Sequence, residues 1–461
     1  MTKEEQIIEA QRYKLKKGNP VLSLLRPCKI GDGIISLSEA EKKAFEAKFE
    51  NSGISSSLFV PASGSGSRMF EFLFDYLQSP NEETRGKVER FLANARNFAF
   101  FQKLPLEIQQ KVSDLSIDMA EFVSFLLSES GLNYGSLPKG LIPFHQMPPF
   151  VLNPFQEHVL QGLRINPNMR FHFTIQPEFE KEILASIKQL EGIALEHAEL
   201  NFSVQNHGSD AYVFNEEFEL VKDDGAKEIK RPSGHGALLP NLQELDEQLI
   251  FVKNIDNVQL YSKSDKSSFY FKTLAGLLLS VKEQLKICLE NNNLQELKNL
   301  SNKFFLFTDE EVNNYSANIG VLTNRPIRVC GMVKNEGQPG GGPFFVDVDG
   351  ISKKQIVEKA QIATDNHNHQ LMLRSTHFNP VFMVLDIQNI HGQKFDLSMF
   401  RNEEHYFVVE KSQKGKKVQF IEQPGLWNGS MENWITLFVE IPNEIFSPVK
   451  TVLDLLDSAH R

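Results

Sequence analysis

Between residues 155 and 290 the chain alternates helix-like and strand-like stretches, and this alternation narrows the folds open to it more than any other feature. Residues 155–163 have helical periodicity, 169–175 strand character, 177–197 helical periodicity and 200–205 strand character again. Residues 214–220 then read as a strand, 234–245 as a loop and helix, 249–252 as a buried strand and 269–290 as a helix. Units of this kind predict an α/β fold with a mixed, mainly parallel sheet and helices on both faces. Ligands of such sheets collect at the carboxyl ends of the strands. Residues 329–333, 344–348, 381–386, 406–410 and 434–440 extend the strand set, and 449–458 read as a closing helix.

Residues 1–56 read as an N-terminal helical arm. Ile7, Ile8 and Tyr13 line one side of a helix over 2–17, and Ser38-Glu-Ala-Glu41 matches a capping box. Residues 57–461 read as the α/β domain, interrupted by a helical insertion over 70–136. Its 3.6-residue patterning runs through 70–77, 82–97, 106–113 and 119–127. Residues 137–144, with Pro138 and Pro143, return to strand-like sequence.

The chemistry starts where the first strand of that domain meets the insertion, at Leu58-Phe-Val-Pro-Ala-Ser-Gly-Ser-Gly-Ser-Arg-Met69. Leu58 to Val60 have strand character, and Ser63 to Ser67 hold nothing larger than a hydroxymethyl group. A strand, a small-residue loop and a helix start together let backbone N–H groups face a phosphate. Arg68 adds a cation that can bind phosphate through two nitrogens. The loop is neither a P-loop, which needs Gly-Lys-Ser/Thr, nor a dinucleotide fingerprint, which needs glycine where Met69 stands. With 28 glycines and 49 Lys+Arg in 461 residues, Gly-x-Gly-x-Lys/Arg arises about 0.2 times by chance. It needs partners further along.

Composition excludes several classes. A net charge of -10 argues against nucleic acid as the main partner. Cys28, Cys288 and Cys330 are too scattered for a Cys-x-x-Cys metal site and fit a reducing compartment. The opening Met1-Thr-Lys-Glu-Glu-Gln does not read as a signal peptide. No apolar run approaches the ~18 residues a membrane span needs. A cytoplasmic protein without membrane or nucleic-acid partners is therefore expected. The 37 phenylalanines against two tryptophans predict a core built on Phe, with Trp427 and Trp434 inside it.

Several later loops fall just after expected strands: Pro138-Lys-Gly140, Gln205, Pro232-Ser-Gly-His-Gly236, Asn254-Ile-Asp-Asn257 and Phe446-Ser-Pro-Val-Lys-Thr451. Alone, Lys139 or Lys450 reads as a solvated lysine and Asp256 as a turn or cap residue. As an ordered set with Ser63 to Arg68, they resemble the uridine diphosphate-sugar pyrophosphorylases, including the UDP-glucose and UDP-N-acetylhexosamine enzymes. Asn153-Pro-Phe-Gln156 and Pro448-Val-Lys-Thr-Val-Leu-Asp-Leu-Leu456 are similar to further parts of that family. The resemblance runs in islands over about residues 57–456. As a whole the sequence also resembles a bacterial family of unknown function that carries Ser375-Thr-His-Phe-Asn-Pro380 and Pro424-Gly-Leu-Trp-Asn-Gly429.

The resemblance implies a Rossmann-like, glycosyltransferase-A-type nucleotidyltransferase. The reaction would be Mg²⁺-dependent uridylyl transfer from a nucleoside triphosphate, UTP, to a sugar 1-phosphate. Arg68, Lys139 and Lys450 would be catalytic, and Ala62, Ser63, Gly64, Ser65 and Gly66 would cradle the nucleotide. Gln205 would read the uracil edge, Gly234, His235 and Gly236 would let the backbone approach the base, and Asp256 would hold the metal. Asn257 and Asn379 would hydrogen-bond sugar hydroxyls. Ser63 and Ser67 stand where that family has Gly and Thr, and the 70–136 insertion is either a lid or a block. Those departures keep open a catalytically silent nucleotide-sugar binding or regulatory protein on the same fold. His235, His377 and the His367-Asn-His369 run lack Cys or carboxylates at ligand spacing, so no zinc site is expected.

Overall fold

The computed structural model describes residues 2–192, 198–206, 208, 210–337, 341–413 and 416–461. Residues 193–197 of the expected 177–197 helix lie outside them. The chain separates into two compact units. The first comprises Met1–Ser55, Gln205–Phe251 and Phe271–Pro442, the second Ser56–Val204, Val252–Tyr270 and Asn443–Arg461.

In the first unit, Lys29–Ile30, Gly33–Ile35, Ile435–Glu440 and Ile327–Lys334 pair in that order as parallel strands. Phe382–Asp386 runs antiparallel against Ile327–Lys334. Ile327–Lys334 is buried through Val333, as expected of a strand covered on both faces. A three-stranded antiparallel sheet, Ser23–Pro27 with Gly342–Val348 and Ile351–Val357, lies in the same unit. The N-terminal residues therefore group with this unit: Cys28 N donates to Pro343 O at 2.9 Å.

The second unit carries the parallel strands Ser56–Pro61, Arg170–Ile175 and Glu199–Val204. The mixed, mostly parallel α/β architecture is thus the one the alternation predicts. Between its strands run the helices Glu71–Gln78, Glu82–Ala93, Leu106–Ser113 and Met119–Leu127, with 3₁₀ turns at Ala95–Asn97 and Ala99–Lys103. Asn81 and Asp118 cap two of these helices by accepting hydrogen bonds from Thr84 N and Glu121 N. Their apolar faces converge on a phenylalanine cluster in which the Phe91 and Phe98 rings are 5.0 Å apart and Phe98 and Phe100 5.1 Å. The same core takes in Ile142, Phe144, Val258, Val449, Val452 and Leu455. The insertion therefore shares one hydrophobic core with the segments that flank Lys139, Asp256 and Lys450.

Three expected elements differ. Residues 137–144 form a 3₁₀ turn, Lys139–Leu141, and the strands come later as the hairpin His145–Met147 with Phe150–Leu152. Pro138 and Pro143 lack the N–H a ladder needs, which favours the turn. Residues 214–220 form no strand; Phe214 makes isolated bridges to Leu220 and Gln419. Residues 449–458 hold no α-helix but two 3₁₀ turns, Val452–Leu456 and Ser458–His460. Their apolar residues three apart satisfy a 3₁₀ turn as well as an α-helix.

Candidate functional site

Strand Ser56–Pro61 delivers the glycine-serine loop into the second unit, and Ala62 N donates to Thr174 O at 2.9 Å where the strand ends. The loop then pairs with the Pro-Lys-Gly segment: Gly66 N donates to Leu137 O at 3.0 Å and Lys139 N to Gly64 O at 3.2 Å. This close approach requires glycine at 66, since a Cβ there would lie 2.6 Å from Ile142 Cδ1 and 2.8 Å from Leu137 O. Ser65 Oγ donates to Ser67 Oγ at 3.0 Å and accepts from Ser67 N at 3.2 Å. The N–H groups of Ser63, Gly64 and Ser65 have no acceptor among the described residues. A 3₁₀ turn, Ser67–Phe70, enters the helix Glu71–Gln78, and Arg68 stands exposed on it, with no hydrogen bond or ion pair to a described residue.

Three charged side chains from distant parts of the chain meet beside this loop. Lys139 Nζ and Lys450 Nζ each donate to the same oxygen, Asp256 Oδ2, at 2.9 Å. The Asp256 and Lys139 side chains are only 12% and 14% exposed, whereas Lys450 is 60% exposed. Backbone contacts hold the carriers. Val449 N donates to Asp256 O at 3.0 Å, and Pro448 bridges to Asn257. Lys450 N and Thr451 N both donate to Asp454 Oδ2 at 2.7 Å. Burial alone would raise the Asp256 carboxyl, but Lys139 and Lys450 outweigh it and hold the group below its ordinary range. Burial lowers the Lys139 ammonium, and Asp256 offsets only part of that.

Asn257 is buried against the same backbone. Its Oδ1 accepts from Ser447 N at 3.0 Å, and its Nδ2 has no partner among the described residues. Behind Asp256, His158 Nε2 donates to Ile255 O at 3.2 Å, and His145 hydrogen-bonds Glu157 at 2.6 Å and His460 at 2.8 Å. Burial pushes His158 down to about 3, helped by Lys253, and His460 down to about 3, helped by His145. Burial also lowers Lys253 to about 7, against the pull of Glu157.

The other candidates lie in the first unit. Gly234 has φ +70°, and a Cβ on Gly236 would fall 2.1 Å from Pro424 O, so the 232–236 loop is pressed against Pro424-Gly-Leu-Trp-Asn-Gly429. His235 stacks on Trp427 with ring centroids 5.6 Å apart, its Nδ1 accepts from Leu426 N at 2.9 Å, and its Nε2 lies 3.5 Å from Glu358. Asn379 N donates to Gly341 O at 2.8 Å, while its Oδ1 accepts from Val381 N at 3.0 Å. Gln205 has an amide nitrogen, Nε2, without a partner among the described residues. Trp427 and Trp434 are both buried.

Sequence reasoning missed Asp454 and Glu358. Thr451-Val-Leu-Asp454 carries a capping-box pattern that could have located the first. Glu358 meets His235 across 123 positions (358 − 235), so no local pattern could have found it. Among the described residues no group of three or more His, Cys, Asp or Glu side chains could hold a metal ion, and no helix is long and apolar enough to cross a membrane.

Two of the solved structures similar to this one carry the name UDP-N-acetylglucosamine pyrophosphorylase. The uridine diphosphate N-acetylglucosamine pyrophosphorylase of Trypanosoma brucei, solved with an inhibitor, superposes with a TM-score of 0.53 at 12% identity, over 98% of this chain and 74% of its own. An Entamoeba histolytica protein assigned by name to the UDP-N-acetylglucosamine pyrophosphorylases gives 0.49 at 13% identity, over 92% and 83%. The UDP-glucose phosphorylase of Trypanosoma brucei gives 0.47 at 13%, over 98% and 74%. At such identities the first of these shows the shared fold. No curated protein matches the chain. A family model described as "Domain of unknown function (DUF4301)" matches residues 1–461, and the chain belongs to that family.

Proposed function

We propose that the second unit binds a nucleoside triphosphate and transfers its nucleotidyl group to a sugar 1-phosphate, releasing pyrophosphate. The observation that carries this reading is the meeting of Lys139, Lys450 and Asp256 beside a loop whose amides at 63–65 have no acceptor among the described residues. The reaction brings about five to six negative charges together. It depends on positioning and charge neutralisation rather than on a covalent intermediate. The loop amides and Arg68 would receive the triphosphate tail, and Lys139 and Lys450 would flank the α-phosphorus as pyrophosphate departs. In the second unit, Asn257 is proposed for the sugar. Asn257 would serve mainly by holding Ser447 and, through it, the Lys450 segment, because its side chain is buried.

The donor set suits Mg²⁺ in one form. Asp256 Oδ1 has no hydrogen bond to a described residue, so a hard cation could take that oxygen and complete its shell with phosphate oxygens and water. When bound, the ion would neutralise phosphate charge.

The test is pyrophosphate release from UTP with Mg²⁺ across a panel of sugar 1-phosphates, with Lys450→Ala as control. Release that depends on one sugar and is lost in the control supports transfer. Silence across the panel, with UTP still bound, would make the protein a nucleotide-sugar binding protein instead.

A further inference from the structure

Asp256 is more than a neighbour of the two lysines: one of its oxygens takes both ammonium groups at 2.9 Å. Two cations converging on a single oxygen is the arrangement a bridging phosphate oxygen would make. The backbone that carries the carboxylate is fixed, because Val449 N donates to Asp256 O, and Val258 and Val449 are in the hydrophobic core. The lysines can move. Lys450 is 60% exposed on a flexible stem, and its backbone is anchored separately on Asp454. We propose that Asp256 is an internal stand-in for a polyphosphate anion, holding Lys139 and Lys450 in phosphate-binding geometry and competing with the incoming ligand for them. This deepens the proposed nucleotidyl-transfer reading and rests on it.

The arrangement has two consequences. The two ammonium groups are kept converged before any ligand arrives, so less ordering is needed on binding. The cost is affinity. A polyphosphate must displace a fixed carboxylate and then sit close to it, and like charges at such distances repel strongly where water is scarce. Removing the Asp256 charge should therefore strengthen polyphosphate binding in the absence of a divalent cation.

The probe is inorganic pyrophosphate, titrated calorimetrically into the full chain in EDTA. Asp256→Asn keeps the size of the side chain and one acceptor oxygen while deleting the charge. It should bind pyrophosphate about tenfold more tightly than the wild type or better, and Lys450→Gln added to it should abolish the gain. Equal or weaker binding by a folded Asp256→Asn protein overturns the proposal. If that variant does not fold, Asp256→Ser carries the same comparison. Absence of pyrophosphate binding in EDTA by the wild type and the charge-deleted variant alike overturns this proposal, and its continued absence when the titration is repeated with Mg²⁺ overturns the nucleotidyl-transfer reading as well. Wild-type binding without a gain removes the stand-in role alone.

Discussion

The Lys450 side chain is mostly solvent-exposed while its backbone is tied to Asp454, so its charge can be removed at little structural cost. Lys450→Ala should lower turnover about 10²- to 10³-fold, the range for losing one charge-stabilising donor, with the melting temperature nearly unchanged. A comparable loss of melting temperature and turnover would make Lys450 a structural residue. Lys139 behaves differently because it is buried: Lys139→Ala leaves Asp256 with one cation fewer in a dry environment, and both turnover and melting temperature should fall. Single residues were the most legible part of this site. Gly-x-Gly-x-Arg, Pro-Lys-Gly and Pro-Val-Lys stand out as an ordered set, whereas Lys139 or Lys450 alone reads as a solvated lysine. What stays invisible in sequence is pairing: nothing near Lys139 or Lys450 in the chain says that both will close on the oxygen of residue 256.

The loop at 62–68 lies against the 137–139 segment with no side-chain volume at residue 66 between them. Gly66→Ala would push a methyl group into Leu137 O and Ile142, costing about 1–3 kcal/mol and separating Lys139 from the loop amides. A lowered urea midpoint together with weakened pyrophosphate binding would show both effects; weakened binding alone would place the loop's role outside packing. The misread elements teach the same lesson. Residues 137–144 and 449–458 have the apolar spacing of a strand and a helix, yet both hold 3₁₀ turns, the first beside prolines that cannot donate to a ladder. Those two turns flank the lysines. Regular strands such as Ile327–Lys334 and Ser56–Pro61 were legible because apolar runs bounded by turn residues have few other uses.

At the scale of the molecule, the second unit should be sensitive to acid. His158 and His460 are held neutral down to about 3 by burial, whereas their unfolded-state values lie near ~6.5. Between those limits the unfolded chain binds more protons, so stability rises with pH and is lost as pH falls from ~6.5 toward 3, at up to ~1.4 kcal/mol per pH unit for each histidine. Lys253 acts in the same direction between about 7 and its unfolded ~10.4. Urea midpoints measured from pH 4 to 9 should therefore climb, and His158→Gln should flatten the acid limb. A flat profile in the wild type would rule out the buried neutral histidines. Phe91→Ala, at the centre of the phenylalanine cluster, should cost about 3–5 kcal/mol. Because Val449 and Val452 share that core, it should also weaken pyrophosphate binding, although Phe91 is remote in sequence from every charged residue of the site.

That shared core also has a meaning during synthesis. The helices of residues 70–136 emerge from the ribosome early, but Val449, Val452 and Leu455, which complete their core, are translated more than three hundred residues later (449 − 136 = 313). Until then Ile142, Phe144 and Val258 are the only later residues of that buried cluster available to them. The core is closed last by the final segment, and the ion cluster at Asp256 can assemble only once that segment docks.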